Sequence, residues 1–241
     1  MASFSARLRE LVARGRGVVA LTGAGMSAES GVPTFRGQSG FWEDGSVEDL
    51  ATAAGFARDP RRVWDWYDAR RIQISRCAPN AGHLALARYG EMHPEMRLVT
   101  QNVDGLHAAA GSGRVIALHG DLFRVRCTRD GLSREDRRVP LPEIPPRCSC
   151  GALLRPDVVW FGELLPEGAM EEATEAARRC ELFLSIGTSA VVYPAAALPE
   201  VAKRRGAYLV EINIEETPLS PAADEVILAP AAEALPDLLG A

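Results

Sequence analysis

Short apolar runs, each only a few residues long, recur at Gly17–Leu21, Met96–Thr100, Val115–Leu118, Leu182–Ile186, Ala207–Ile212 and Glu225–Leu228. Helix-like segments lie between several of them, at Asn80–Tyr89, Gly168–Cys180 and Pro194–Arg205, and Phe4, Leu8, Leu11 and Val12 predict an opening amphipathic helix. Strands that alternate with helices cannot all pair as hairpins. They predict an α/β fold with a parallel sheet covered on both faces. Two stretches break the alternation. Residues Phe41–Arg76 are rich in Trp, Tyr and Arg and read as helical from about Pro60, whereas Arg124–Pro156 are rich in Cys, Arg and Pro. Both read as excursions that build a second, smaller lobe beside the sheet. In parallel sheets ligands bind at the carboxyl ends of the strands, so the groove between sheet and excursions is the expected site.

Composition removes several classes. A net charge of −5, with 47% hydrophobic and 24% charged residues, gives no global reason to expect nucleic-acid or membrane binding. The opening MASFSARLRE has no apolar core of a signal peptide. Leu182–Pro199 is interrupted by Ser185, Gly187, Thr188, Ser189 and Pro194, which makes it a buried strand and loop and not a membrane span. Five cysteines without a secretion signal favour metal ligation or free thiols in a reducing compartment. A cytoplasmic monomer is expected.

The first apolar run leads into GAGMSAESGVPTFRG, residues 23–37. Gly23 and Gly25 begin a dinucleotide fingerprint, GxGxxG, and their exposed amides suit a pyrophosphate. The third position is Ala28, however, and the carboxylates Glu43 and Asp44 do not follow a β-strand. A hydride-transfer loop is therefore a poor fit. Pro33, Phe35 and Arg36 in a rigid loop also exceed what a simple turn needs.

These residues, with TQNVDGLH at 100–107, LHG at 118–120, VVWFGE at 158–163, GTS at 187–189 and INIE at 212–215, closely resemble the motif set of the sirtuins, the NAD-dependent protein deacylases. The matches occur in the family's order along nearly the whole chain. The resemblance implies a Rossmann-like large domain, residues 1–36, 77–123 and 157–241. It also implies a small domain made of a helical module, 37–76, and a zinc-ribbon-like module, 124–156. NAD would be consumed as co-substrate: nicotinamide is released and the acyl group of a lysine moves to ADP-ribose.

By the same resemblance His119 is the general base that deprotonates a ribose hydroxyl, a role suited to an imidazole. Asn102 and Asp104 match residues that contact the nicotinamide ribose and carboxamide, with Gln101 beside them. Ala24, Ser27, Pro33, Thr34, Phe35 and Arg36, with Gly23 and Gly25, match the cofactor loop. Gly187, Thr188 and Ser189 match phosphate and ribose contacts, Asn213 and Glu215 the adenosine ribose, and Ala231, in the terminal Ala229-Pro230-Ala231 loop, the adenine side. Val159, Phe161, Gly162 and Glu163 resemble the segment that pairs with the substrate peptide as a strand, a mode that reads backbone more than sequence.

Tyr67 and Arg70 stand at i and i+3, on one face of a helix. A guanidinium and a phenol together suit a carboxylate, hence a succinyl or malonyl group. Tyr-x-x-Arg resembles the pair marking the desuccinylase class, and Thr34, where many deacetylases carry Asp, points the same way. Deacetylation is expected beside desuccinylation and demalonylation. The alternative for the stretch is a solvated arginine face.

The family's zinc pattern, two CxxC pairs, is altered here. Cys127 is followed at the partner position by Asp130, and the second pair is Cys148-Ser149-Cys150. Three thiolates and a carboxylate make an acceptable zinc site. Alternatively the metal is lost and Pro142, Pro145 and Pro146 hold the loop by packing. Cys77 and Cys180 are read as incidental or buried thiols. Two competing functions are a protein mono-ADP-ribosyltransferase and a non-catalytic sensor of NAD or ADP-ribose. The expected partners are acylated-lysine proteins or peptides.

Overall fold

The computed structural model describes residues 3–34 and 47–240. Strands β1 (Val18–Thr22), β2 (Arg97–Thr100) and β3 (Val115–Ala117) form one half of a parallel sheet. The chain then builds a separate antiparallel sheet from β4 (Gly120–Cys127), β5 (Ser133–Glu135) and β6 (Leu154–Val158). It returns to the first sheet with β7 (Leu182–Ile186), β8 (Tyr208–Asn213) and β9 (Glu225–Leu228). The large sheet has six strands in the order β3-β2-β1-β7-β8-β9, all parallel. The apolar runs in the sequence are these six strands.

Successive side chains of a strand point to opposite faces, so a strand buried on both faces must be apolar throughout. In β1, Val18 and Ala20 pack with the helices Ala6–Arg14, Ala81–Met92 and Ala231–Leu239. Val19 and Leu21 pack with Ala169–Arg179 and Leu198–Arg204 on the other face. The opening helix starts where the Ser5 side chain accepts the Leu8 N–H and stops at Gly15. Ala229-Pro230-Ala231 differs from the expected loop: Ala231 is the first residue of the last helix, with Pro230 as its N-cap. Among the described residues no helix is long and apolar enough to cross a membrane.

The small sheet stands at the module for which the resemblance implies a zinc-ribbon-like fold, and it gives no apolar runs because its apolar residues alternate with arginines. Along β4, Val125 and Cys127 are buried while Arg124 and Arg126 are exposed. Helix Pro60–Ile74 covers its inner face. Asp59 caps it through the Arg62 N–H at 3.0 Å, and Pro60 suits the first turn. Trp64 Nε1 donates to the Leu154 carbonyl at 2.8 Å. The fully buried Arg71 donates to the carbonyls of Leu122, Asp136 and Arg138. Val63, Leu122 and Leu154 share that core, each contributing roughly 1.5–3 kcal/mol by burial. Helix and small sheet are thus one packed unit, and the helix is held in a fixed rotation about its axis.

Candidate active site

The strand order reverses between β1 and β7, which is where an open parallel sheet places its ligand crevice. The loops leaving these two strands touch through their backbones. Gly23 N–H donates to Ile186 O at 2.9 Å and Gly25 N–H to Gly187 O at 2.8 Å. A Cβ on Gly23 would lie 2.7 Å from Gly187 O, and one on Gly187 would lie 2.4 Å from the Met26 nitrogen. Gly187 also has φ of 57°, the left-handed region. The glycines therefore serve the contact between the two loops as well as the approach of a ligand. After Gly23 the chain coils as a 3₁₀ turn, Ala24–Ser30, where a dehydrogenase loop would open an α-helix.

A cavity of about 1390 Å³ opens over this point and extends between the two sheets. It gathers Gly23, Ala24, Gly25 and Thr34 from the first loop, Gln101 and Asn102 after β2, and His119 after β3. Gly187, Thr188 and Ser189 follow from β7, Asn213 and Glu215 from β8, and Ala231 from the last helix. The other wall carries Tyr67, Arg70, Val159, Phe161, Gly162 and Glu163. Ser27, Pro33 and Asp104 are not among the lining residues. Ser27 and Asp104 are buried beneath the wall, joined by a 2.7 Å hydrogen bond from Ser27 Oγ, and burial raises the Asp104 carboxyl above its usual range. Phe35 and Arg36 lie outside the described residues.

His119 occupies the corner between β3 and β4. Its carbonyl accepts the Val159 N–H, and Gly120, with φ of 84°, lets β4 turn against β6 where a Cβ would lie 2.2 Å from Asp157 O. His119 Nδ1 lies 2.9 Å from Gln101 O. A carbonyl only accepts, so Nδ1 carries the hydrogen and Nε2 is the basic nitrogen. Burial lowers the imidazole pKa below 6.5 and keeps it neutral at pH 7. Asn102 is oriented too, since its Nδ2 donates to Gly23 O at 2.9 Å and to Ser27 Oγ at 3.2 Å.

Tyr67 and Arg70 are both buried, 4% and 5% exposed, so the solvated-face alternative is rejected. Burial pushes the Tyr67 phenol up to about 12 and lowers the Arg70 guanidinium. The cavity also brings in residues that the motifs did not single out. Trp66 and Trp160 line its inner end, and Leu164, Tyr193 and Ile214 form an apolar rim, 94%, 74% and 70% exposed. Trp160 stands inside a quoted motif. The rim residues come from irregular segments with no periodicity to mark them.

The sequence profile described as the Sir2 family matches residues 23–194. The chain belongs to the Sir2 family. An NAD-dependent protein deacylase of Aquifex aeolicus (strain VF5) is 54% identical over 208 residues, 86% of this chain and 87% of the relative. A solved Sir2 homologue–NAD complex superposes with a TM-score of 0.92 at 44% identity, covering 99% of this chain and 94% of the other. A Sir2–p53 peptide–NAD⁺ structure gives 0.86 at 32% identity, covering 99% and 98%. The family's Rossmann-like fold is the one described above.

Sir2 proteins imply a zinc ion, and the residues present fit one. The Cys127, Cys148 and Cys150 sulfurs and an Asp130 carboxylate oxygen all lie within 4.8 Å of one another. Cys127 and Cys150 Sγ are 3.6 Å apart, close to the roughly 3.8 Å expected for two sulfurs on a tetrahedral zinc with Zn–S of about 2.3 Å. The backbone N–H of Cys150 holds the Cys148 thiol down at about 7, and the Leu132 N–H lowers the Asp130 carboxyl, so both ligands are readily anionic. Such an ion would tie the β4–β5 turn to the Cys148–Gly151 turn as a structural clamp. Protein purified without a metal-affinity tag is expected to carry about one zinc per chain. Cys148→Ser should lose it and melt several degrees lower; a ratio near zero in the parent protein excludes the site.

Proposed function

We infer that this chain is an NAD-dependent protein-lysine deacylase that removes dicarboxylic acyl groups, succinyl and malonyl, and acetyl as well. The observation that carries the reading is one cavity lined by an oriented neutral histidine, the glycine loops and a buried Tyr67–Arg70 pair. NAD supplies an anomeric carbon that accepts the acyl group as nicotinamide leaves. Its phosphates fit beside the glycine loops, where missing side chains allow a close approach although the amides of Gly23, Gly25 and Gly187 are already donated to the carbonyls of Ile186, Gly187 and Ile212, and its adenosine end fits between Asn213, Glu215 and Ala231. Asn102, fixed by Gly23 and Ser27, faces the nicotinamide ribose; Asp104 and Ser27 support it from beneath. His119 Nε2 takes the proton from a ribose hydroxyl. In this reading the large sheet with its helices and the small sheet with the Pro60–Ile74 helix are the two domains, and the acylated lysine enters between them along Val159–Glu163. That segment already makes one isolated bridge, through the Phe161 N–H and the Ala51 carbonyl. Arg70 favours a far carboxylate on the acyl group by a charge-assisted pair.

The experiment is kcat/KM with NAD on acetyl, malonyl and succinyl versions of one peptide, following O-acyl-ADP-ribose. Succinyl and malonyl are expected to exceed acetyl. Labelled protein without O-acyl-ADP-ribose would instead show ADP-ribosyl transfer, and no turnover at all would leave a binding module.

A further inference from the structure

The far end of the cavity contains a hydrogen bond that the deacylase chemistry does not use. Trp160 Nε1 lies 2.9 Å from the Tyr67 hydroxyl oxygen. An indole N–H only donates, so the Tyr67 oxygen is the acceptor. A phenol hydrogen prefers the plane of its ring and has two positions there. With the indole N–H approaching one side, the hydrogen takes the other. We propose that Trp160 is a positioning residue for acyl selectivity, which turns the Tyr67 hydroxyl into a one-way donor toward a carboxylate held by Arg70. The proposal rests on the reading of Tyr67 and Arg70 as the acyl-carboxylate pair.

The surroundings hold the indole in place. Trp160 is 2% exposed, and its ring contacts both Phe56, 5.3 Å away centroid to centroid, and the Arg155 guanidinium, 3.4 Å from its centroid. A cation over the ring draws on its electron density and makes the N–H a stronger donor. Arg155 is itself gripped by Glu163, through contacts of 2.5 and 2.9 Å, and Glu163 Oε2 accepts the backbone N–H of Trp160 at 2.9 Å. The Tyr67 proton is retained at every pH at which the protein works, because burial pushes the phenol up to about 12. Among the described residues the structure gives that hydrogen no acceptor, so an incoming carboxylate finds a donor already aimed. An acetyl group ends before such a contact and gains nothing from it. The chain Glu163–Arg155–Trp160–Tyr67 also runs from the peptide-facing segment to the acyl pocket, so one set of side chains orients both.

The test is Trp160→Phe, which keeps a ring beside Arg155 and Phe56 and removes the N–H. The ratio of succinyl KM to acetyl KM is expected to rise about three- to tenfold, the size of one lost hydrogen bond, with kcat for the two substrates moving in parallel. In a Tyr67→Phe background the same change should add nothing to that ratio. An unchanged ratio, or an equal shift in both backgrounds, overturns the proposal. If Trp160→Phe does not fold, replacing the indole by its sulfur isostere, benzothiophene, removes the N–H at constant shape and is judged by the same ratio. Arg70→Met in parallel separates the two failures. Selective loss of desuccinylation there with no effect at Trp160 rejects only this inference, whereas equal loss on both substrates rejects the acyl-carboxylate reading and the inference with it.

Discussion

His119→Ala is expected to lower kcat for every acyl substrate by about 10²- to 10⁴-fold, the usual range for a positioned general base. The geometry makes the role specific. Gln101 O fixes the hydrogen on Nδ1, leaving Nε2 as the basic atom, and His119 lines the cavity between the glycine loops and the Tyr67–Arg70 wall. The pH profile carries the same information with a definite sign. Burial lowers the pKa, so the neutral, basic form is populated at pH 7 and is lost only as pH falls through a value below 6.5. The parent enzyme should therefore show an acid limb in kcat/KM below pH 6.5, and the residual activity of the variant should lack it. Turnover within about twofold of the parent would remove His119 from the mechanism.

Arg70→Met should divide the substrates. A charge-assisted pair with a carboxylate is worth enough to expect a loss of about 10- to 100-fold in desuccinylation kcat/KM, with deacetylation reduced far less. Arg70 is nearly buried, and removing a guanidinium from water disfavours its charge; the Asp104 carboxylate nearby offsets part of that cost. A carboxylate arriving on the acyl chain offsets more of it, whereas an acetyl methyl group cannot. Methionine fills similar space without charge, so packing of the helix on the small sheet is retained through Trp64 and Arg71. Parallel kinetics on one peptide carrying either group check the expectation, and equal losses defeat it.

The sheet was legible in the sequence because a strand buried on both faces has to be an apolar run, and the short runs at Val18–Leu21 and Leu182–Ile186 alternate with helix-like segments. The Tyr67–Arg70 face was legible for a similar reason, since a three-residue step on a helix fixes a shared side. The small sheet was legible only through the motif resemblance and not through its apolar pattern, because Arg124 and Arg126 dilute the apolar signal of Val125 and Cys127. Depth was also invisible. Asn102 and Asp104 stand two residues apart in one motif, yet one lines the cavity and the other is buried beneath it with Ser27. Spacing along a loop does not say which side chain turns inward. Leu164, Tyr193 and Ile214 line one cavity only because three separate connections reach it. Trp160 shows a further limit: a motif marks the segment, but a hydrogen bond across to another element assigns the task.

The backbone contact between Gly23, Gly25 and Gly187 has a consequence for recombination among relatives. The two loops interlock at distances that leave no room for a side chain on either, so each is shaped for the other's path. A chimera whose crossover falls between them would inherit one half from each parent and rely on two independently drifting backbones meeting within a few tenths of an ångström. Crossovers that keep β1 and β7 from the same parent preserve the joint.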